Sequence, residues 1–170
     1  MSLLVLVLLL AGDPAWLDVP YVRQTDAGCG AASVAMVMQY WVRFVATVNR
    51  EAADGDKIYK LLSSSGRKGV SGEALKGYLE KQGFEAFVFN GEPRDLREHL
   101  AKGRPVMVCL APGRKGAPLH YAVVVGVTDA DVLLNDPARG KLFRQPLDRF
   151  ERDWKATGNW ALLAVPGAAF

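Results

Sequence analysis

The chain is poor in cysteine and histidine: its 170 residues hold two of each, Cys29 and Cys109, His99 and His120. Two cysteines cannot build a disulfide framework, although one Cys29–Cys109 bridge stays conceivable for an exported chain. No pair of Cys or His stands at metal-ligand spacing, so no metal is expected. No cofactor is expected either: "GCGAAS" has Ser33 where a dinucleotide fingerprint needs its last glycine, and no βαβ unit surrounds it. Charge of one sign is also lacking. A net +3 on scattered lysines and arginines, without an aromatic-and-basic motif, argues against a nucleic-acid surface. Long hydrophobic runs are missing as well. The run Leu3 to Leu10 falls far short of the roughly 18 residues that span a bilayer, so no stable membrane span is expected. Its length suits the core of a secretory signal, but a basic stretch ahead of it is absent. Residues 1–12 therefore read either as a signal peptide or its remnant, which would make the protein periplasmic or extracellular, or as an N-terminal core strand.

What is present describes a globular domain. Half of the residues are hydrophobic and 23% are charged, and a chain of this length buries roughly two-thirds of its surface without staples. After the turn-like "DPAW", the segment Leu17 to Gln24 reads as extended and "TDAG" as a turn. From Cys29 to about Phe44 apolar groups fall on every side, the pattern of a buried helix. Residues Glu51 to Leu62 and Gly72 to Gln82 read as two shorter helices, the second capped by Ser71 and ended by Gly83. "FEAFVF" alternates like a strand, and "EPRDLREHLAKG" is a further short helix. From Pro105 onward, "PVMVCL", "HYAVVVGV", "DVLLND" and "KLFRQP" are β-branched runs joined by short turns, as in an antiparallel meander. The helix "LDRFERDWKA" and the strand "NWALLAVP" finish the chain. Helices first and strands second suggest one α+β domain over residues 17–166, with a cleft between a helical half and a sheet half.

The chemistry starts at Cys29, between Gly28 and Gly30 at the first turn of the buried helix. Unpaired N–H groups and the positive helix end lower a thiol's pKa there, and the glycines admit another backbone or a substrate. A nucleophilic thiol needs a base. His99 lies on a charged helix face and reads as solvated surface; His120 opens a strand directly after a glycine-rich turn and can project into a cleft. Asp136, sixteen residues on (136 − 120), ends the next strand of the meander, where it can orient the imidazole; strand alternation points its neighbour Asn135 to the other face. Gln24, five positions before Cys29 (29 − 24), can supply a side-chain N–H to an oxyanion, with the Cys29 N–H as the second donor. Cys109, inside an apolar strand, reads as an inert hydrophobe. Trp154 and Trp160 are expected to pack the last helix on the sheet, and Glu92, Asp95, Glu98, Asp129 and Asp131 to be solvated.

The blocks "VPYVRQTDAGCGAASVAMVMQYW" and "HYAVVVGV" followed by "LLNDPARG" resemble those of the C39 and C39-like bacterial cysteine peptidases, in the same order Gln, Cys, His, Asp. The resemblance implies a papain-like fold, peptide-bond hydrolysis through an acyl-enzyme, and roles for Cys29 as nucleophile, His120 as general base and acid, Asp136 as orienting residue and Gln24 as oxyanion donor. It implies a peptide or protein substrate; a monomer is expected. Exporter-linked members carry a transmembrane region and an ATPase that these 170 residues do not contain, so a stand-alone hydrolase is expected rather than leader cleavage at a double glycine. Two other readings fit the same residues: a transamidase or acyltransferase sharing the acyl-enzyme, and a non-catalytic peptide-binding module. The basic loops "SSSGRKG" and "APGRKGAP" could rim the cleft and favour acidic peptides.

Overall fold

A computed structural model describes residues 16–63, 69–113 and 116–167. The N-terminal run 1–12 and most of the "SSSGRKG" loop lie outside the described residues, as do residues 114–115 of "APGRKGAP".

The helices are α1 (Cys29–Val42), α2 (Gly55–Leu62), α3 (Gly72–Lys81), α4 (Pro93–Ala101) and α5 (Leu147–Lys155). The strands are β1 (Phe84–Asn90), β2 (Val106–Leu110), β3 (His120–Val127), β4 (Asp131–Asp136), β5 (Gly140–Pro146) and β6 (Trp160–Pro166). All six strands join one sheet in the order β1-β6-β2-β3-β4-β5, every pairing antiparallel. The meander expected from sequence thus runs from β2 to β5. The last strand, β6, inserts between β1 and β2, a non-local pairing that no local pattern announces.

The α1 helix is the spine of the molecule. Ala31, Val34, Ala35, Met36 and Met38 are inaccessible or nearly so, and the helix lies on the sheet within one core that also holds Ile58 of α2 and Leu75 and Leu79 of α3. A helix apolar on all sides has neighbours on all sides, here strands below and α2 and α3 beside it. A second core lies across the sheet, where Leu96 of α4 and Phe150 and Trp154 of α5 cover Val106, Val108, Val124 and Leu134. The sheet is therefore covered on both faces rather than on one.

Local sequence explains the element ends. Helix α2 starts at Gly55, four residues later than the pattern suggested. Asn49 Oδ1 takes the N–H of Glu51 at 3.0 Å and turns the chain, and Asp54 then caps the helix through the N–H groups of Asp56 and Lys57, each at 3.0 Å. Ser71 caps α3 through Ala74 N–H at 3.2 Å, and Gly83 closes it at φ 84°. The extended segment from Leu17 to Gln24 joins no ladder. It is stitched to the sheet by Leu17 N–H to Val125 O (2.8 Å), Asn135 Nδ2 to Val19 O (2.9 Å) and Gln24 N–H to Pro137 O (3.1 Å).

Candidate active site

Cys29 is the first residue of α1, and the cap residue before it, Gly28, offers no side chain to the helix's free N–H groups. Both flanking glycines are closely surrounded, Gly28 by backbone and Gly30 by the end of a buried leucine side chain. A Cβ on Gly28 would stand 2.8 Å from the Thr25 carbonyl oxygen, and one on Gly30 would stand 2.7 Å from Leu75 Cδ1 and 3.2 Å from the Tyr121 ring. The close approach expected at these glycines is thus made by the protein's own loop and core.

His120 opens β3 and pairs with Leu110 of β2. Asp136 ends β4, one residue beyond the Val123–Asn135 pair that closes the β3–β4 ladder. It therefore lies diagonal to His120 rather than directly across, and diagonal neighbours in an antiparallel pair remain within reach of long side chains. The contact is made: His120 Nε2 and Asp136 Oδ1 are 2.9 Å apart. The Asp136 carboxylate is fully buried, and its Oδ1 also accepts the N–H groups of Ala138 (2.9 Å) and Arg139 (3.1 Å). Its Oδ2 has no hydrogen-bond partner and faces Arg139 Nη1 at 3.6 Å. Asn135 does not compete for the histidine. It is fully buried, bonded to Val19 O and to Leu142 N–H at 3.1 Å, and so pins the N-terminal segment and the start of β5.

The electrostatics are those of a thiol–imidazole pair. Burial alone would push the Cys29 thiol up, but the His120 ring and the backbone N–H groups of Tyr121 and Gly30 outweigh it and hold the pKa below the usual thiol range. Burial would likewise push His120 down, yet the Asp136 carboxylate and the Cys29 sulfur raise it to about 9. Asp136 is held below the usual carboxylate range because His120 and the two turn N–H groups overcome the cost of its burial. Cys109 behaves oppositely: burial and the neighbouring Cys29 raise it to about 11. Both cysteines are free thiols.

Gln24 lines the same cleft, held by its own backbone bond to Pro137 and by Tyr21 Oη donating to that carbonyl at 3.2 Å. The turn that presents Asp136 therefore also positions Gln24. One Gln24 Nε2–H is committed to Asp26 O at 2.8 Å, and Oε1 has no partner. Asp26 adopts φ 46°, unusual for a non-glycine residue. The cleft has a volume of about 1330 Å³, with Gln24, Cys29, His120, Tyr121, Leu119 and Arg139 among its lining residues.

Gln24, Cys29 and His120 thus line one cleft, and Asp136, fully buried behind His120, reaches it only through the imidazole. His99 does not: it sits on α4 and stacks at a tilt on Phe89 with centroids 5.8 Å apart, half-buried rather than solvated. Trp154 packs α5 on the sheet as expected and donates Nε1–H to Trp160 O at 2.8 Å. Trp160 instead faces the first core, edge-on to Tyr121 at 5.4 Å. Glu92 and Asp95 cap α4, and Asp129 and Asp131 pair with Arg97 and Arg144 at 3.6 and 3.7 Å. Two groups escaped the sequence reading. The Tyr121 N–H helps to hold the Cys29 pKa down, and Arg139 reaches the cleft beside Asp136. Strand alternation sets Tyr121 opposite to His120, and an arginine in a turn carries no local signal. Among the described residues no group of three His, Cys, Asp or Glu is placed to hold a metal, and no helix is long and apolar enough to cross a membrane.

A thiol-bearing helix docked on an antiparallel sheet is the architecture of the papain-like cysteine peptidases, and solved structures share it. A C39-like peptidase structure from Bacillus anthracis superposes with a TM-score of 0.71 at 20% identity, covering 92% of this chain and all of the other. The peptidase domain of Streptococcus ComA gives 0.66 at 23% identity, covering 86% of this chain and 97% of the other. A double glycine motif protease from an AMS/PCAT transporter, in complex with the leader peptide, gives 0.63 at 25% identity, covering 92% and 96%. In sequence, residues 16–162 match the Peptidase_C39 like family, and the chain belongs to it. It is 26% identical over 132 residues to the lactococcin-G-processing and transport ATP-binding protein LagD of Lactococcus lactis subsp. lactis; the match takes in 78% of this chain and 17% of LagD.

Proposed function

We propose that residues 17–166 form a catalytic domain that hydrolyses peptide bonds through Cys29, His120, Asp136 and Gln24. One observation carries this reading: a thiol held low and an imidazole held high share a cleft, with a buried carboxylate 2.9 Å from the imidazole's Nε2. That leaves Nδ1 as the ring nitrogen for the thiol and the substrate.

The Cys29 sulfur attacks the scissile carbonyl carbon, forming a C–S bond while the carbonyl electron pair moves to oxygen. The Cys29 N–H and the second Gln24 Nε2–H stabilise that oxyanion. His120 passes its Nδ1 proton to the departing amine as the C–N bond breaks, leaving a thioester. His120, now neutral, takes a proton from water, whose oxygen displaces the thiolate. Asp136 holds the ring in register and favours its charged form throughout. The relative solved with a leader peptide supports a peptide substrate.

A peptide library incubated with the protein and with Cys29→Ala tests this. New termini are expected with the first and none with the second, and rapid quenching should trap a thioester on Cys29. Equal cleavage by both would overturn the assignment.

A further inference from the structure

We propose that Arg139 selects the substrate: its guanidinium receives a carboxylate carried by the leaving half of the peptide, downstream of the scissile bond. The inference rests on the peptidase reading above and adds a substrate class to it.

His120 must meet the departing amine, so the leaving half passes along the wall that His120 occupies. That wall is the sheet side of the cleft, where Leu119, Ala138 and Arg139 follow. Arg139 is the only lysine or arginine lining the cleft among the described residues. Its guanidinium is placed in advance. It stacks over the Phe143 ring at 4.8 Å, and its backbone N–H is fixed by Asp136. The carboxylate oxygen that it faces, Asp136 Oδ2, stands 3.6 Å away, too far for a hydrogen bond, and remains unbonded. The attraction of Asp136 therefore orients the guanidinium without using up its donors. A stacked, planar fork with about a third of its side chain exposed is suited to a bidentate carboxylate. Among the described residues, the other charged side chain lining the cleft is Asp26, of opposite sign, so Arg139 is the described group that favours an acidic substrate.

The experiment reads binding, so it does not depend on turnover. A pool of hexapeptides differing at each position by Glu, Gln or Lys is bound to Cys29→Ala protein, and the retained peptides are sequenced. Glu is expected to be enriched about tenfold over Gln, as for one charge-assisted hydrogen-bonded contact. The enrichment should vanish in Cys29→Ala/Arg139→Gln, persist in Arg139→Lys and turn towards Lys in Arg139→Glu. Pools with free and amidated C-termini separate a side-chain acid from a terminal carboxylate. Equal retention of Glu and Gln peptides, or enrichment that survives Arg139→Gln, would overturn the inference even if the intact protein cleaves peptides. Conversely, Arg139-dependent enrichment without cleavage by the intact protein would overturn the peptidase reading and with it the assignment to a leaving half, leaving Arg139 as a carboxylate-binding residue only.

Discussion

Asp136→Asn removes one charge and almost no volume. The new amide oxygen can keep the place of Oδ1, which accepts from His120 Nε2 at 2.9 Å and from the Ala138 and Arg139 N–H groups. The amide nitrogen would replace the unbonded Oδ2 beside Arg139. What changes is the field on the imidazole. Raising His120 from 6.5 to about 9 corresponds to about 3 kcal/mol in favour of the charged ring, shared between Asp136 and Cys29. Losing the Asp136 share should lower the His120 midpoint by at least about one pH unit. With only two histidines in the chain, both can be followed by proton NMR. His99 supplies an internal reference that titrates below the usual histidine value, because burial and the nearby Arg104 and Lys102 disfavour its charge. Stability should follow the same linkage. A histidine raised in the folded state contributes stability that is fully present below about 6.5 and is lost as pH climbs through about 9. Asp136→Asn should therefore depress the melting temperature more at pH 6 than at pH 10. A parent His120 that titrates near 6.5, or a midpoint untouched by Asp136→Asn, would refute the reasoning.

Gly30→Ala places a methyl 2.7 Å from Leu75 Cδ1 and 3.2 Å from the Tyr121 ring; overpacking of about 1–3 kcal/mol should exceed the roughly 1 kcal/mol gained in helix preference, a net loss readable by urea denaturation. Gly77→Ala, where a methyl meets nothing within 4 Å, should instead stabilise, and equal effects at the two sites would contradict the packing argument. Asn135→Leu strands the Val19 carbonyl and the Leu142 N–H in the interior, for a loss of about 2–3 kcal/mol; a change under about 0.5 kcal/mol would show that the N-terminal segment is not anchored there. Hydrolysis should fall above about pH 9, as His120 loses the proton it gives to the leaving amine, and a rate still rising at pH 10 would contradict that role.

Much of this was legible in the sequence because the informative residues are few. A cysteine between glycines ahead of an apolar run marks a helix start, and with two histidines the choice of base is narrow. Strand patterning then placed Asp136 near His120. Non-local contacts were not legible. The insertion of β6 between β1 and β2 depends on pairing across the chain, and the late start of α2 depends on Asn49 and Asp54 winning the backbone N–H groups that a longer helix would have used. Tyr121 and Arg139 matter through their neighbours in space. The Gln24–Asp26 bond is likewise a loop detail that spacing alone does not reveal.

His120 holds the Cys29 thiol below its usual pKa range. Iodoacetamide labelling of Cys29 at pH 6, read by peptide mass mapping in the parent and in His120→Ala, tests it most directly. Without the imidazole, burial dominates and the thiol pKa should rise, so His120→Ala should label at least about tenfold more slowly. Labelling as fast as in the parent would mean that the pair does not exist.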